Sequence, residues 1–207
     1  EISLGLVGSE MCIRDRYKIK VTVWVNGKET DNVTTTFGIR TIEFNAQEGF
    51  LLNGVSVLLK GGCLHHDNGF LGSATIDRAE ERKVELLKAY GYNAVRTAHN
   101  PPSQQFLDAC DRVGIVVIDE LFDMWQRKKN PHDYHLYFDE WWPSDLASIV
   151  MRDRNHPSVI IWSIGNEINE RVAPSGHALR KLLVAEVKKF DTSRPVSVSY
   201  THLRAHE

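Results

Sequence analysis

Ser158 to Glu170 reads SVIIWSIGNEINE, an apolar run that stops at Gly165 and hands over to Asn166 and Glu167. Val159, Ile160, Ile161 and Trp162 leave no polar face, so the run reads as a strand covered on both sides, as in a parallel sheet flanked by helices. From its position alone, Glu167 is equally suited to being the negative charge at the start of the following helix, where the helix dipole favours an anion. What the neighbouring strands end in decides between that role and a chemical one.

Three earlier segments repeat the pattern. VSVLLKGG, Val55 to Gly62, predicts a first strand, followed by a helix from about Asp77 to Tyr90 with Val84, Leu87 and Tyr90 on one face and Gly91 as its stop. NAVRT, Asn93 to Thr97, predicts the second strand. Pro101, Pro102 and Ser103 then start a helix carrying Phe106, Ala109, Cys110 and Val113 at helical spacing, ended by Gly114. GIVVID, Gly114 to Asp119, predicts the third. A longer excursion from Leu121 to Trp142 precedes a helix bearing Leu146, Ile149 and Val150, after which comes the strand quoted above. A last helix carries Leu179, Leu182, Leu183, Val187 and Phe190, and RPVSV, Arg194 to Val198, begins a fifth strand.

Repeating βα units fit an open doubly wound sheet or the first half of a barrel of eight. No GxGxxG or GxxxxGKS/T follows any strand, so the nucleotide-binding open sheet has no support. In a barrel the chemistry is assembled where the strands end. Here strand one leads to His65, His66 and Asp67, strand two to Arg96, His99 and Asn100, strand three to Asp119 and Glu120, and strand four to Asn166 and Glu167. A purely structural sheet has no need of such groups there, since each buried polar atom must find a partner. The strand ends therefore strengthen, over an open sheet, the reading of the fold class as α/β, the first half of a (β/α)8 TIM barrel.

Composition bounds the rest. The 207 residues are 42% hydrophobic and 25% charged, enough to bury a core, and a formal charge of −2 leaves no electrostatic footprint for nucleic acid or an anionic membrane. No apolar run approaches the roughly 20 residues that span a bilayer. Cys12, Cys63 and Cys110 have neither CxxC spacing nor a disulfide-framework pattern, and a reduced state is expected.

Individual residues have plainer alternatives. His99 also suits a satisfied core histidine. A metal held by His65, His66, Asp67 and His99 lacks the helical H-x-x-x-H pair or cysteine ligand that would support it. Arg96 lies within a strand and demands a carboxylate close by, because an unpaired buried charge is costly. Phe138, Trp141 and Trp142 read as packing, whereas Trp125 suits packing and stacking on a sugar face about equally. Gln126 to Asn130, QRKKN, reads as a solvated loop.

YKIKVTVWVNGKE alternates Ile19, Val21, Val23 and Val25 with polar neighbours and turns at Asn26-Gly27, an antiparallel hairpin that reads, through Arg40, as the closing strands of an all-β domain. Residues 1–16 and 199–207 continue no pattern of their neighbours and resemble translated sequencing-adapter read-through. They are expected to be an artefactual leader and tail around residues 17–40, the end of a β domain, and 41–198, the N-terminal half of the barrel.

LLNGVSVLLKGGCLHHD, YGYNAVRTAHNPPS, CDRVGIVVIDELFDMW, RDRNHPSVIIWSIGNE and DTSRPV, in this order and spacing, resemble the catalytic barrel of glycoside hydrolase family two, the β-galactosidase, β-glucuronidase and β-mannosidase group. The resemblance implies that the hairpin ends an immunoglobulin-like β-sandwich domain. It implies that Glu167 is the general acid/base, that Asn166 holds the sugar 2-hydroxyl, and that His99 contacts sugar. It implies that Arg96 orients the nucleophilic carboxylate, that one of His65, His66 and Asp67 lies near substrate, and that Asp119 and Glu120 are structural, supporting residues. Some members hold magnesium through acidic and histidine ligands after this DE. LFDMW offers only Asp123, so no cofactor is implied. The partner implied is a carbohydrate with a terminal β-linked sugar, and a homo-oligomeric parent, cytoplasmic or exported, is compatible with it.

Retaining glycosidases need two carboxyl groups about 5 to 5.5 Å apart, a nucleophile and an acid/base. The resemblance places the nucleophile, a glutamate, beyond Val196, so the expectation is a fragment of a retaining exo-β-glycosidase, β-galactosidase first. A β-glucuronidase or β-mannosidase, and a carbohydrate-binding relative without catalysis, are the alternatives. Asn166, Glu167, His99 and Arg96 together weigh against the last. The chain alone is expected to turn over no aryl glycoside; release of nitrophenol above a blank by purified 207-residue protein would refute this.

Overall fold

The computed structural model describes residues 16–198, so the expectations for a leader and tail fall, Arg16 aside, outside the described residues. Two strands, β1 (Arg16–Val25) and β2 (Lys28–Gly38), form the expected hairpin, with Asn26 and Gly27 at φ 51° and 74° in the turn. Positive φ at both central residues matches the right-handed twist of the strands. Val21, Val23, Trp24 and Val25 stay more than half exposed.

A small antiparallel sheet follows, β3 (Ile42–Asn45), β4 (Gly49–Leu52) and β5 (Val55–Ser56). Here the sequence reading is corrected: Val55 and Ser56 pair with Leu51 and Leu52 of this sheet, and the first barrel strand is β6 (Gly61–His65). Between them Val57 and Leu59 pack inward while Leu58 is 76% exposed. That alternation belongs to an edge segment covering the barrel, where a doubly covered strand would be apolar throughout.

The barrel strands are β6, β7 (Ala94–Ala98), β8 (Val116–Glu120), β9 (Val159–Ser163) and β10 (Val196–Ser197), all parallel, in the order β10-β9-β8-β7-β6. Helices α1 (Asp77–Ala89), α2 (Gln104–Val113), α3 (His135–Asp153) and α4 (Pro174–Phe190) connect them. Ser103 caps α2 by accepting the Phe106 N–H, and Gly114 ends it at φ 78°, as expected for a left-handed stop. The excursion after β8 is shorter than expected, since α3 begins at His135 and carries Pro143 within it. Val95, Val117 and Trp162 face the helices and bury Val84, Leu107, Leu146 and Leu183. Each such side chain contributes about 1.5–3 kcal/mol of burial. Tyr90 and Leu182, expected on buried faces, are 80% and 58% exposed.

At the end where the strands begin, Ala94, Val116 and Ile160 pack against Phe50, with Ile42 and Leu52 alongside, so the small sheet covers that end. The turn before β9 is held there by arginines. Arg40 donates to the carbonyls of Pro157 and Val159, and Arg194 to those of Arg154, His156 and Val159. Asp191 accepts from Arg194, the Trp162 indole and Ser193.

Burial alone would raise the Asp191 pKa, but these donors outweigh it and hold the carboxyl well below its usual range. The folded state therefore keeps the ionised form. Its stabilisation is complete above the ordinary carboxylate range and fades as the pH falls through it. Asp191→Ala leaves Arg194 and the Trp162 N–H without this acceptor and is expected to cost about 3–5 kcal/mol. An unchanged denaturation midpoint for this variant of the full-length protein would contradict the assignment.

Candidate active site

Opposite the covered end, the strands deliver one connected polar network. Register sets Cys63 beside Arg96, and Glu120 beside Ser163, on adjacent strands. Arg96, largely buried, donates through Nε and Nη2 to the two oxygens of Glu120 at 3.0 and 2.8 Å. Glu120 is fully buried and accepts two further bonds, from Ser163 Oγ at 2.7 Å and His99 Nδ1 at 2.9 Å. Its own N–H is donated to Thr97 Oγ1 at 3.0 Å. Burial works against the Arg96 charge, and Glu120 more than offsets it, so the guanidinium pKa is raised. Within this chain the carboxylate that Arg96 demanded is Glu120, at the end of the neighbouring strand β8.

His99 gives Nδ1 to Glu120, which fixes the ring and leaves its other nitrogen for the cavity. His65 stands edge-on to it, ring centres 5.0 Å apart. Together they line a cavity of about 600 Å³ with Asn100, Phe122, Asp123, Tyr134 and Ile149.

Asn166 is 3% exposed and bonded on every side. Its N–H goes to the Phe122 carbonyl at 3.0 Å, its Oδ1 accepts from Arg96 Nη2 at 2.7 Å, and its Nδ2 donates to Asp123 Oδ1 at 2.8 Å. Lys129 Nζ donates to the same Asp123 oxygen at 2.7 Å and to the Asn166 carbonyl at 2.9 Å. Burial alone would raise Asp123, but the bonds from Lys129 and Asn166 lower its pKa. Glu167 follows in a left-handed conformation, φ 42°, with an exposed side chain that has no hydrogen-bond partner among the described residues. A non-glycine residue at such a φ costs on the order of 1 kcal/mol and persists where its surroundings over-determine it. The bonds on Asn166 do this, and a Cβ on Gly165 would come within 2.6 Å of Ile168.

Other expectations are redirected. Trp125 is fully buried, its indole N–H donated to the Ile164 carbonyl at 2.7 Å, so it supports the turn before Asn166 and offers no face to a sugar. Asp119 alternates to the helix side of β8. Burial first, and then the Asp153 carboxylate, raise its pKa well above the usual range. His66 lines a small cleft with Glu80, Lys83 and Phe106, and among the described residues the Asp67 carboxylate accepts only the Gly69 N–H at 3.3 Å. Lys129, assigned from sequence to a solvated loop, is part of the network. Cys63, which carries no site signal in the sequence, accepts at Sγ from Arg96 Nη1 at 3.1 Å. Strand register would have found Cys63, and the position of Asp123 just after the DE pair was a signal for it; nothing local marks Lys129.

Asp108, Asp111 and His156 form the one metal-like cluster among the described residues, at the covered end of the barrel. Asp111 is committed there to the His156 ring at 2.7 Å and the Ser158 N–H at 2.9 Å.

Parallel βα units with ionisable groups gathered where the strands end are the pattern of a TIM-barrel domain. A family model described as glycosyl hydrolases family 2, TIM barrel domain, matches residues 43–206, and the chain belongs to that family. It is 42% identical to a β-galactosidase of Bacteroides ovatus, over 87% of this chain and 25% of that protein. It is 45% identical to a putative β-glucuronidase of Formosa agariphila, over 81% of this chain and 16% of that protein. A crystal structure of a glycosyl hydrolase family 2 member from Bacteroides cellulosilyticus superposes with a TM-score of 0.88 at 50% identity, covering 93% of this chain and 25% of that one. The chain thus spans a quarter or less of these relatives.

Glu120→Gln keeps the shape but removes the anion facing a buried guanidinium, at an expected cost of about 3–5 kcal/mol. Ser163→Ala removes one neutral donor and should cost about 0.5–1.5 kcal/mol. Denaturation of both variants checks the order, and equal losses would show that the charge on Glu120 adds nothing beyond an ordinary hydrogen bond.

Proposed function

We propose that this chain contributes the acid/base side of the active site of a retaining exo-β-glycosidase acting on carbohydrates with a terminal β-linked sugar, β-galactosidase first. The observation that supports it most is the Asn166-Glu167 pair, held at the end of β9 beside the Arg96, Glu120 and His99 network. In this reading Glu167, whose carboxylate carries no competing bond, protonates the leaving oxygen and then deprotonates the attacking water. Asn166 and His99 hold sugar hydroxyls, and His65 borders the same cavity. Arg96 directs the face on which the attacking carboxylate, supplied from later in the full-length protein, would stand.

Residues 17–40 are assigned in the same reading to the end of an immunoglobulin-like domain, and 41–198 to the first half of the catalytic barrel. The relatives are named both β-galactosidase and β-glucuronidase, so glucuronide hydrolysis is the second reading.

Glu167→Ala in the full-length protein should lower kcat for glycosides with poor leaving groups about 100- to 10,000-fold. Substrates with good leaving groups should lose far less, and azide should restore turnover by forming the glycosyl azide. Wild-type hydrolysis of poor-leaving-group glycosides by this variant would overturn the assignment.

A further inference from the structure

An asparagine that must present one N–H to a substrate needs its amide held, because the two ends of the amide are nearly the same shape and differ only in donor and acceptor character. Asn166 meets a cation on one side and an anion on the other. Arg96 Nη2 can only donate, so it selects the amide oxygen at 2.7 Å. Asp123 Oδ1 accepts from Nδ2 at 2.8 Å and so selects the nitrogen. A flipped amide would set donor against donor and acceptor against acceptor, and the orientation is therefore fixed by charge rather than by fit. Nδ2 then has a single hydrogen left for a ligand.

Asp123 would not hold this position unaided. It sits at the rim of the cavity with 30% of its side chain exposed, where a carboxylate could turn out to water. Lys129 prevents that. Its Nζ lies 2.7 Å from the same Oδ1 that receives Asn166, and 2.9 Å from the Asn166 backbone carbonyl, so it ties the carboxylate to the asparagine main chain. Three points on Asn166, its side-chain nitrogen, its side-chain oxygen and its carbonyl, are thus pinned immediately before the left-handed residue Glu167.

We propose that Asp123 and Lys129 are positioning residues that act through Asn166, fixing its amide so that the remaining Nδ2 hydrogen meets the 2-hydroxyl oxygen of the bound sugar. The inference rests on the reading of Asn166 as the 2-hydroxyl contact, and predicts that the two residues matter in proportion to that hydroxyl. A contribution to folding alone would affect every substrate equally. A positioning role affects only substrates that carry the group being positioned.

The test uses the full-length protein with 4-nitrophenyl β-galactoside and its 2-deoxy analogue, measuring kcat/KM for each. Asp123→Ala and Lys129→Met are expected to lower kcat/KM for the hydroxylated substrate about 10- to 100-fold, the range of a charge-assisted hydrogen bond. Turnover of the 2-deoxy substrate should stay within about threefold of wild type, so that the preference for the 2-hydroxyl collapses. Lys129→Arg, which keeps the cation, should retain most of it. Asn166→Ala calibrates the reading itself. If that variant loses the preference while Asp123→Ala and Lys129→Met keep it, or lose both substrates equally, the positioning role is overturned. If Asn166→Ala keeps the preference, the 2-hydroxyl reading fails and the proposal fails with it.

Discussion

Arg96 rises from the middle of β7 into the space the strands enclose, and a charge placed there must be matched by another or the strand cannot stay. Glu120 matches it with both oxygens and is itself fully buried, so neither group can leave without stranding the other. The pair then recruits the rest. Ser163 comes from β9 and His99 from the loop after β7 to fill the remaining acceptor positions of Glu120, and the spare donor of Arg96 reaches Asn166. With Cys63 of β6, whose Sγ accepts from Arg96 Nη1, four strands and two loops are tied at one end around a single ion pair.

The two ends of the barrel are built from different forces. Where the strands begin, the small antiparallel sheet covers Ala94, Val116 and Ile160 with apolar side chains, and two arginines hold the carbonyls of the turn before β9. This end is closed by burial and backbone hydrogen bonds. Where the strands finish, charge and amide groups accumulate around an open cavity. Stability at one end and chemistry at the other is the division that barrel folds use generally.

The left-handed Glu167 links the two roles of the network. Its conformation costs energy, and the bonds on Asn166, together with the Trp125 indole bonded to Ile164, keep the chain in it. A carboxylate presented this way stands exposed beyond the end of β9, without side-chain partners of its own among the described residues. Residues buried beneath the turn, such as Trp125, therefore shape the site without facing it.

The alternation of strands and helices, their parallel arrangement and the identity of the polar residues at the strand ends are legible in the order of residues along the chain. Those are local properties, set by apolar runs, helical spacing, and stops such as Gly91 and Gly114. The sequence also required a carboxylate near Arg96, because burial of a charge is a local fact. Which carboxylate answers was decided only in the tertiary structure, where Glu120 arrives from 24 residues away and Asn166 from 70. The same holds for Trp125, which went to the core, and for Lys129, which left an expected solvated loop to clamp Asp123. The partition of VSVLLKGG between a covering strand and a barrel strand belongs here too. Periodicity reports what a residue prefers to face, but pairing across strands depends on register and on the lengths of the loops between them, which no short window contains.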